Sequence, residues 1–358
     1  PQRLREVLGL ETYRDRERLA EYYFTTLLAG AREVHCFYTE SGKHEKSRFI
    51  EKLLWQQQQA QGSLDPGNLV QVVQYNVQLA ISRPAPVEKT TGIVKLLRTF
   101  EFTATALDAY RNCPLKFYYA HMLGLTEKES VSEDVEQSEI GSFVHDALKS
   151  YFDRTVGHSL VPSDLDLKRL RLTIDRLSTE QYGADLIGPT VLVKQQVVHQ
   201  LSAFIERYQL PIIKAHPVKI MGLEQRFSVV SDGIRFAGRI DRLERRGDRH
   251  IILDYKTGRD DKRVRINLSK LIDEDLESWR EAIGSFQLVL YTLLYSKSNN
   301  VALDSIDPSY LFLGHNNISP EIEVALGGRQ HTAEAVYHRV YPVMIRIIKD
   351  ILDAQRPF

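Results

Sequence analysis

Cysteine is nearly absent. Cys36 and Cys113 are the two in 358 residues, too few for a disulfide framework, which points to a reducing compartment and makes the cytoplasm the expected location. Long hydrophobic runs are also missing. No window approaches the roughly 18 consecutive apolar residues of a membrane span, and the first residues lack the basic, apolar, small-residue order of a secretory signal. A soluble, intracellular protein with no membrane partner is expected. Neither sign of charge is in excess, Lys+Arg and Asp+Glu standing at 47 each, so net charge neither advertises nor excludes a polyanionic partner. The basic cluster Arg259, Lys262, Arg263 and Arg265 reads equally well as one wall of a channel or as a solvated loop. There is no Gly-x-x-x-x-Gly-Lys-Ser/Thr phosphate loop, which excludes ATP hydrolysis by this chain. Internal repeats and coiled-coil heptads are absent too. The chain starts at Pro1 rather than Met and stops at Arg356-Pro357-Phe358 after a helical stretch, so both ends are read as cuts in a longer polypeptide.

Length and an apolar share of 43% suit two packed α/β domains. Residues 1 to about 98 combine helical periodicity at Arg16 to Leu28 and Ser47 to Leu54 with a β-prone run at Glu33 to Tyr38 and a turn at Asp65-Pro66-Gly67. Ile81 to Val87 holds two prolines in a short span and reads as a linker, which puts the second domain at 99–358. There, Thr103 or Thr105 caps a helix with Leu107, Tyr110, Phe117 and Tyr118 on its apolar side; Gly141 to Phe152 is a second helix, and a charged helical region runs from about 163 to 209. The period then changes to two. Phe227 to Phe236 reads as a hairpin turning at Ser231-Asp232-Gly233, and Ile234 to Glu244 meets Ile251 to Lys256 through Arg246-Gly247-Asp248, an antiparallel meander of three strands. A helix at about 279 to 297, strands near Tyr310 to Gly314 and Glu321 to Ala325, and a helix at about 332 to 354 complete the domain.

The chemistry concentrates in Gly238-Arg-Ile-Asp241 and Ile251-Ile-Leu-Asp254-Tyr-Lys256-Thr-Gly258. A turn centred on Gly247-Asp248 sets Asp241 opposite Asp254, with β-carbons roughly 4.5 to 5.5 Å apart. Two unpaired carboxylates at that distance repel, and a divalent cation between them relieves the repulsion. Lys256 lies two residues beyond Asp254 and so shares its strand face. A cation that polarises a phosphoryl oxygen beside an ammonium that positions water is what phosphodiester hydrolysis requires. An Asp-x-Lys on a strand is by itself more often an exposed ion pair, but Ile251-Ile252-Leu253 marks this strand as buried, where Asp and Lys are seldom left unpaired. His145, one helical turn after Gly141, faces inward as either a core residue or a ligand; Gln287 and Tyr291, four apart, present an amide and a phenol together or form an ordinary core Tyr with a capping Gln. Glu224 is a further carboxylate candidate, ranked below these.

Taken in order, Gly141-Ser-Phe-Val-His145, Gly238-Arg-Ile-Asp241-Arg242, Asp254-Tyr-Lys256-Thr-Gly258 and Gln287-Leu-Val-Leu-Tyr291 resemble the four motifs of the RecB-like branch of the PD-(D/E)XK nuclease superfamily, over about residues 100 to 358. The resemblance implies a restriction-endonuclease-like mixed sheet flanked by helices. It also implies a Mg²⁺- or Mn²⁺-dependent DNA exonuclease in which His145, Asp241, Asp254 and the Tyr255 carbonyl hold the metal. Asp241, Asp254 and Lys256 would be the catalytic set, and Gln287 and Tyr291 would position DNA and the active site. Tyr110-Arg-Asn-Cys113-Pro114-Leu-Lys-Phe117 is similar to an element of AddB-type helicase–nuclease subunits, where that cysteine can be a ligand of a 4Fe-4S cluster. Here the cluster's other ligands are absent, so either they were cut away or Cys113 is structural. Residues 10 to 55 resemble the end of a superfamily-1 helicase motor, with Leu28-Ala29 where the family has Thr-Arg; the first domain is thus expected to be a degenerate helicase-like α/β fragment. Single-stranded DNA ends, a helicase–nuclease partner subunit and the bacterial cytoplasm follow as the implied substrate, partner and setting. A DNA-binding structural subunit and a stand-alone exonuclease are the alternatives.

Overall fold

The computed structural model describes residues 13–38, 46–62, 70, 84–125, 137–183, 189–258, 263–272, 275–328 and 330–358. The chain divides into two compact units, Pro1–Arg83 and Pro84–Phe358.

In the first unit, helices α1 (Tyr13–Ala29) and α2 (Arg48–Gln61) are joined by Phe24 stacked on Phe49, with ring centroids 5.4 Å apart, and by a Lys52–Glu21 ion pair at 2.5 Å. Both match the expected helices. Glu33–Tyr38, expected as a strand, forms none. A strand is held by a partner's ladder, and the described residues of this unit supply no second strand, so the α/β helicase-like character expected of residues 1–98 is not seen among them. The Asp65-Pro66-Gly67 turn lies outside the described residues.

Residues 84–98, assigned by the sequence to the first domain and its linker, pack in the second unit. Val87 exchanges both backbone hydrogen bonds with Phe358, at 2.9 and 3.2 Å, and Lys89 Nζ donates to the carbonyls of Asp350 and Asp353. Helix α3 (Thr91–Leu97) follows, then strand β1 (Glu101–Phe102) and helix α4 (Ala104–Asn112), whose N-cap Thr103 accepts from the Ala106 N–H. Next come α5 (Gln137–Phe152), α6 (Leu167–Tyr182) and α7 (Pro189–Phe204). The single helical region expected at 163–209 is therefore interrupted, because Gly183, with φ 88°, ends α6 in a conformation that favours glycine.

The meander is present as expected: β2 (Val218–Ser231), β3 (Ile234–Arg246) and β4 (Arg249–Lys256). Asp232 and Gly233 both have positive φ, the backbone that a two-residue hairpin turn needs. The chain continues through α8 (Leu276–Ala282), α9 (Gln287–Asn299), β5 (Ile306–Phe312), β6 (Glu323–Ala325) and α10 (Ala333–Leu352). The helix expected at 279–297 is broken in two. Gly284 lies so close to residues 263–265 that a Cβ would sit 2.7 Å from two of their carbonyl oxygens, and the break leaves Gln287 in the first turn of a new helix.

The sheet is mixed. β3 pairs antiparallel with β2 along one edge; β1 (parallel) and β4 (antiparallel) share its other edge, and β4 pairs parallel with β5, which pairs antiparallel with β6. Strand alternation sends Ile252, Tyr310 and Phe312 into a core under α4, α9 and α10. Ile251, Leu253, Tyr255 and Leu311 enter a second core under α5, α6 and α7. A sheet covered by helices on both faces explains the unbroken apolar run leading into Asp254. No helix among the described residues is long and apolar enough to cross a membrane.

Candidate active site

The β3–β4 ladder runs from Arg246↔Arg249 to Arg242↔Leu253. One step further the register would set Asp241 against Asp254, the pairing read from the sequence, and there the ladder stops. Asp241 Oδ2 instead accepts the Tyr255 N–H at 2.7 Å. A side-chain carboxylate thus stands in for a backbone carbonyl, which satisfies a buried donor and pins Asp241 at the mouth of the opening. β1 reaches β3 only at Arg235 and Phe236, so among the described residues no strand fills this edge between β1 and β4.

Two groups of side chains meet at the opening. In the first, His145 of α5 directs Nδ1 to Glu224 Oε1 at 3.2 Å and Asp241 Oδ2 at 3.5 Å, and Nε2 to the Tyr255 carbonyl at 3.3 Å. The ligand atoms of His145, Glu224 and Asp241 all lie within 4.8 Å of one another. Glu224 has φ 47°, a left-handed conformation rare outside glycine that costs on the order of 1–3 kcal/mol. It interrupts the β2–β3 pairing between Leu223↔Arg242 and Gln225↔Ile240, directly across from Asp241. Burial alone would lower the His145 pKa, but the hydrogen bonds and charges of Asp241 and Glu224 outweigh it and push it up to about 10. The cluster is therefore strongly attractive to positive charge.

In the second group, Lys256 Nζ lies 2.6 Å from Asp254 Oδ2 and donates to Gln287 Oε1 at 2.7 Å. Gln287 Nε2 donates to Asp254 Oδ1 at 2.6 Å and to Tyr291 OH at 2.9 Å. Only this orientation of the amide suits a carboxylate on one side and an ammonium on the other. Asp254 is buried, and desolvation, reinforced by the charge of Asp241, raises its pKa to about 7 against the pull of Lys256. Its Oδ2 meets the ammonium as an ion pair but receives no aligned hydrogen bond.

Of the motif glycines, Gly238 has a steric reason, whereas at Gly141 a Cβ would make only ordinary contact. A Cβ on Gly238 would come within 2.8 Å of Leu294 Cδ1 and 3.1 Å of Tyr291 Cε1, so β3 lets α9 pack directly on it; one on Gly141 would touch Thr257 Oγ1 at 3.4 Å. Asp108 of α4, which no motif indicated, anchors the start of α9. It accepts from Ser285 Oγ at 2.7 Å and the Phe286 N–H at 3.1 Å, and Ser285 Oγ accepts the Gln287 N–H at 3.2 Å. Burial raises the Asp108 pKa despite these donors.

The structure thus brings together His145, Asp241, Asp254, the Tyr255 carbonyl, Lys256, Gln287 and Tyr291. Cys113 is not among them. It is an exposed thiol at the start of the short helix Pro114–Phe117. Arg263 and Arg265 lie beside Gly284, while Arg259 and Lys262 are outside the described residues. Glu224, which the sequence reading ranked below the others, lies with His145 and Asp241, and the register that pairs Ser231 with Ile234 across the first turn, carried down the strands, sets it opposite Asp241. The donor set of an imidazole, carboxylates and a carbonyl oxygen fits a hard divalent ion such as Mg²⁺ or Mn²⁺, and the underbonded Asp254 Oδ2 leaves a further oxygen available. It does not fit an iron–sulfur cluster, since the chain has two cysteines in all.

Residues 101–354 match the family model of the PD-(D/E)XK nuclease superfamily. The chain is 24% identical over 252 residues to an ATP-dependent helicase/deoxyribonuclease subunit of Carboxydothermus hydrogenoformans, a match that covers 62% of this chain and 21% of that protein. It is 27% identical over 165 residues to an uncharacterized protein of Rickettsia felis, covering 44% of this chain and 18% of the relative. The chain spans about a fifth of the length of the curated relatives it matches.

Proposed function

The chain belongs to the PD-(D/E)XK nuclease superfamily, and from that premise we propose that it is a Mg²⁺- or Mn²⁺-dependent DNA exonuclease, the nuclease part of a helicase–nuclease that processes double-strand breaks. The observation that carries the reading is the convergence of α5, β3, β4 and α9 on two adjoining groups of side chains, one gathering acidic and imidazole donors and one holding an ammonium against Asp254. A module that only binds DNA has no chemical need for three acidic side chains at the surface it offers to phosphate.

His145, Glu224 and Asp241, with the Tyr255 carbonyl and Asp254 Oδ2 beside them, would hold the divalent ion. When bound, that ion polarises a phosphoryl oxygen and makes a bound water more acidic. The chain's own residues supply the rest. Lys256, held by its ion pair with Asp254 and its hydrogen bond to Gln287, keeps N–H capacity to orient the attacking water or to meet charge developing on phosphate. Asp254 would lend Oδ2 to the ion while its Oδ1 stays held by Gln287, and water would attack phosphorus in line with the leaving oxygen. Gln287 and Tyr291 hold that carboxylate in place. Contacts of this kind read phosphate rather than bases, so cleavage is expected to be largely sequence-independent and binding salt-sensitive.

The Carboxydothermus relative is named as a helicase/deoxyribonuclease subunit, which supports a subunit role here. Because this chain has no phosphate loop, a partner would drive movement along DNA, and the first unit would be a degenerate helicase-like remnant acting on single-stranded ends in the bacterial cytoplasm. Any role of Cys113 in an iron–sulfur cluster would need ligands from outside this chain. The test is degradation of end-labelled single-stranded DNA with Mg²⁺, Mn²⁺ or EDTA, beside Asp254→Ala and Lys256→Ala. Metal-dependent loss of label that both substitutions abolish supports the reading; cleavage unaffected by them sinks it.

A further inference from the structure

Arg242, the residue after Asp241, heads the largest fully buried side chains in the protein. Its guanidinium lies over the Phe152 ring, 4.3 Å from the centroid; Nη1 donates to Tyr255 OH at 3.4 Å, and Nη2 is ion-paired with Glu244. Glu244 is shared with Arg246 at 2.8 Å, and Arg246 continues to Glu323, also at 2.8 Å. The contacts of Arg242 reach α5 and β4, which flank the acidic and imidazole cluster, and its own strand β3; β2, which carries Glu224, is not among them. Phe152 is on α5, the helix of His145; Tyr255 is on β4 and supplies both the carbonyl near His145 and the N–H held by Asp241; Arg242 itself extends the backbone of Asp241 on β3. One buried cation therefore ties together, from behind, the strand ends and helix that carry His145, Asp241 and the Tyr255 carbonyl.

Packing alone does not account for it. An apolar side chain of similar volume would fill a space lined by Phe152 and Tyr255 without the desolvation that a buried guanidinium suffers, and Arg242 Nε is buried without a hydrogen-bond partner. A planar, directional group is worth that only where orientation matters. We propose that Arg242 is a positioning residue for the cation site. It fixes the Tyr255 peptide and α5 relative to Asp241 and touches neither substrate nor metal. This rests on the metal-site reading given above.

The experiment is Mn²⁺ titration of the full chain followed by the EPR signal of free Mn²⁺, with thermal unfolding recorded in parallel, for wild type, Arg242→Met, Arg246→Met and Tyr255→Phe. Arg246→Met serves as the control, since it removes a cation from the same network without touching Tyr255 or Phe152. The expected result is a loss of Mn²⁺ affinity of roughly 10- to 100-fold in Arg242→Met, while Arg246→Met lowers the melting temperature and binds Mn²⁺ as wild type does. Unchanged affinity in Arg242→Met, or an equal loss in Arg246→Met, overturns the positioning role and leaves the metal site standing. Should Arg242→Met fail to fold, Tyr255→Phe decides: it keeps the backbone carbonyl and removes only the hydroxyl that Arg242 holds, so weakened binding supports the role and wild-type binding overturns it. A wild-type chain that takes up no Mn²⁺ overturns the metal-site reading itself, and this inference with it.

Discussion

Two buried ionic clusters sit one residue apart on β3, and they are built on opposite terms. Behind the strand ends, Arg242 and Arg246 face Glu244 and Glu323, and the charges balance. Burial would raise the Glu244 carboxyl, yet the two arginines hold it below its ordinary range. At the opening, Asp241, Asp254 and Glu224 share the space with Lys256 and His145, with the exposed Arg239 4.0 Å from Glu224, and burial together with the neighbouring Asp241 drives Asp254 the other way, up to about 7. The same desolvation thus acts on both carboxylates and loses in one place and wins in the other. A cluster whose carboxylates are held charged by their arginines is structural; one whose carboxylates crowd each other in a desolvated space gains from a further cation.

The sharpest way to break this comparison is to remove one cation from each cluster. Lys256→Ala should lower metal-dependent cleavage of end-labelled single-stranded DNA by about 100-fold or more with little change in melting temperature. Arg246→Met should do the reverse, lowering stability in denaturant unfolding by about 1–3 kcal/mol because Glu244 loses one of its two partners in the interior, with cleavage per folded molecule retained. Losses in the same property from both would erase the distinction. Next in size, Glu224→Gln keeps the shape and removes a charge from the acidic group; the Mn²⁺ concentration for half-maximal cleavage should rise about tenfold or more, and an unchanged requirement would exclude Glu224 from the cluster. Gly238→Ala acts on the scaffold instead. Its methyl group meets Leu294 and Tyr291, so unfolding should show a loss of about 1–3 kcal/mol from overpacking, accompanied by a fall in kcat as α9 shifts Gln287.

In pH the two carboxylates have opposite signs. Glu244 has a folded pKa below its ordinary 4.5, so its contribution is present above that value and is lost as pH falls through the folded pKa. Asp254, raised from 3.8 to about 7, holds its proton longer folded than unfolded, so it costs stability progressively as pH rises from about 4 to 7. In EDTA, Asp254→Asn should therefore gain stability relative to wild type above pH 7 and Glu244→Gln should lose it. Unfolding curves across pH 4 to 8 check both, and a shared sign would show that the two carboxylates do not differ in their surroundings as described.

Much of the candidate site was legible because strand geometry is periodic. One tight turn and a side-chain period of two put Asp241 across from Asp254 on paper, with the ladder ending one pair short of them, and the register of the preceding hairpin runs on to Glu224. What obscured Glu224 is its left-handed backbone, which no propensity marks for a glutamate. Helix boundaries were less legible where a break depends on a distant segment. Gly284 ends α8 because residues 263–265 crowd it, a contact with no trace in the local pattern of 279–297. Asp108 was invisible for the same reason, since it acts on Ser285 and Phe286 far along the chain.

By itself the sequence determined the three-strand meander, the order of the four motifs, and the apolar strand that carries Asp254 and Lys256 inward. These are consequences of periodicity, turn chemistry and composition, which act over a few residues. Tertiary structure alone decided that the ladder opens at Asp241, that His145 and Glu224 close on it from α5 and β2, that Asp108 starts α9 under Gln287, and that Arg242 lies buried behind the opening. Each of these depends on which distant groups share a desolvated space, and the sign of a buried charge's effect there is set by its neighbours in three dimensions rather than by its neighbours in the chain.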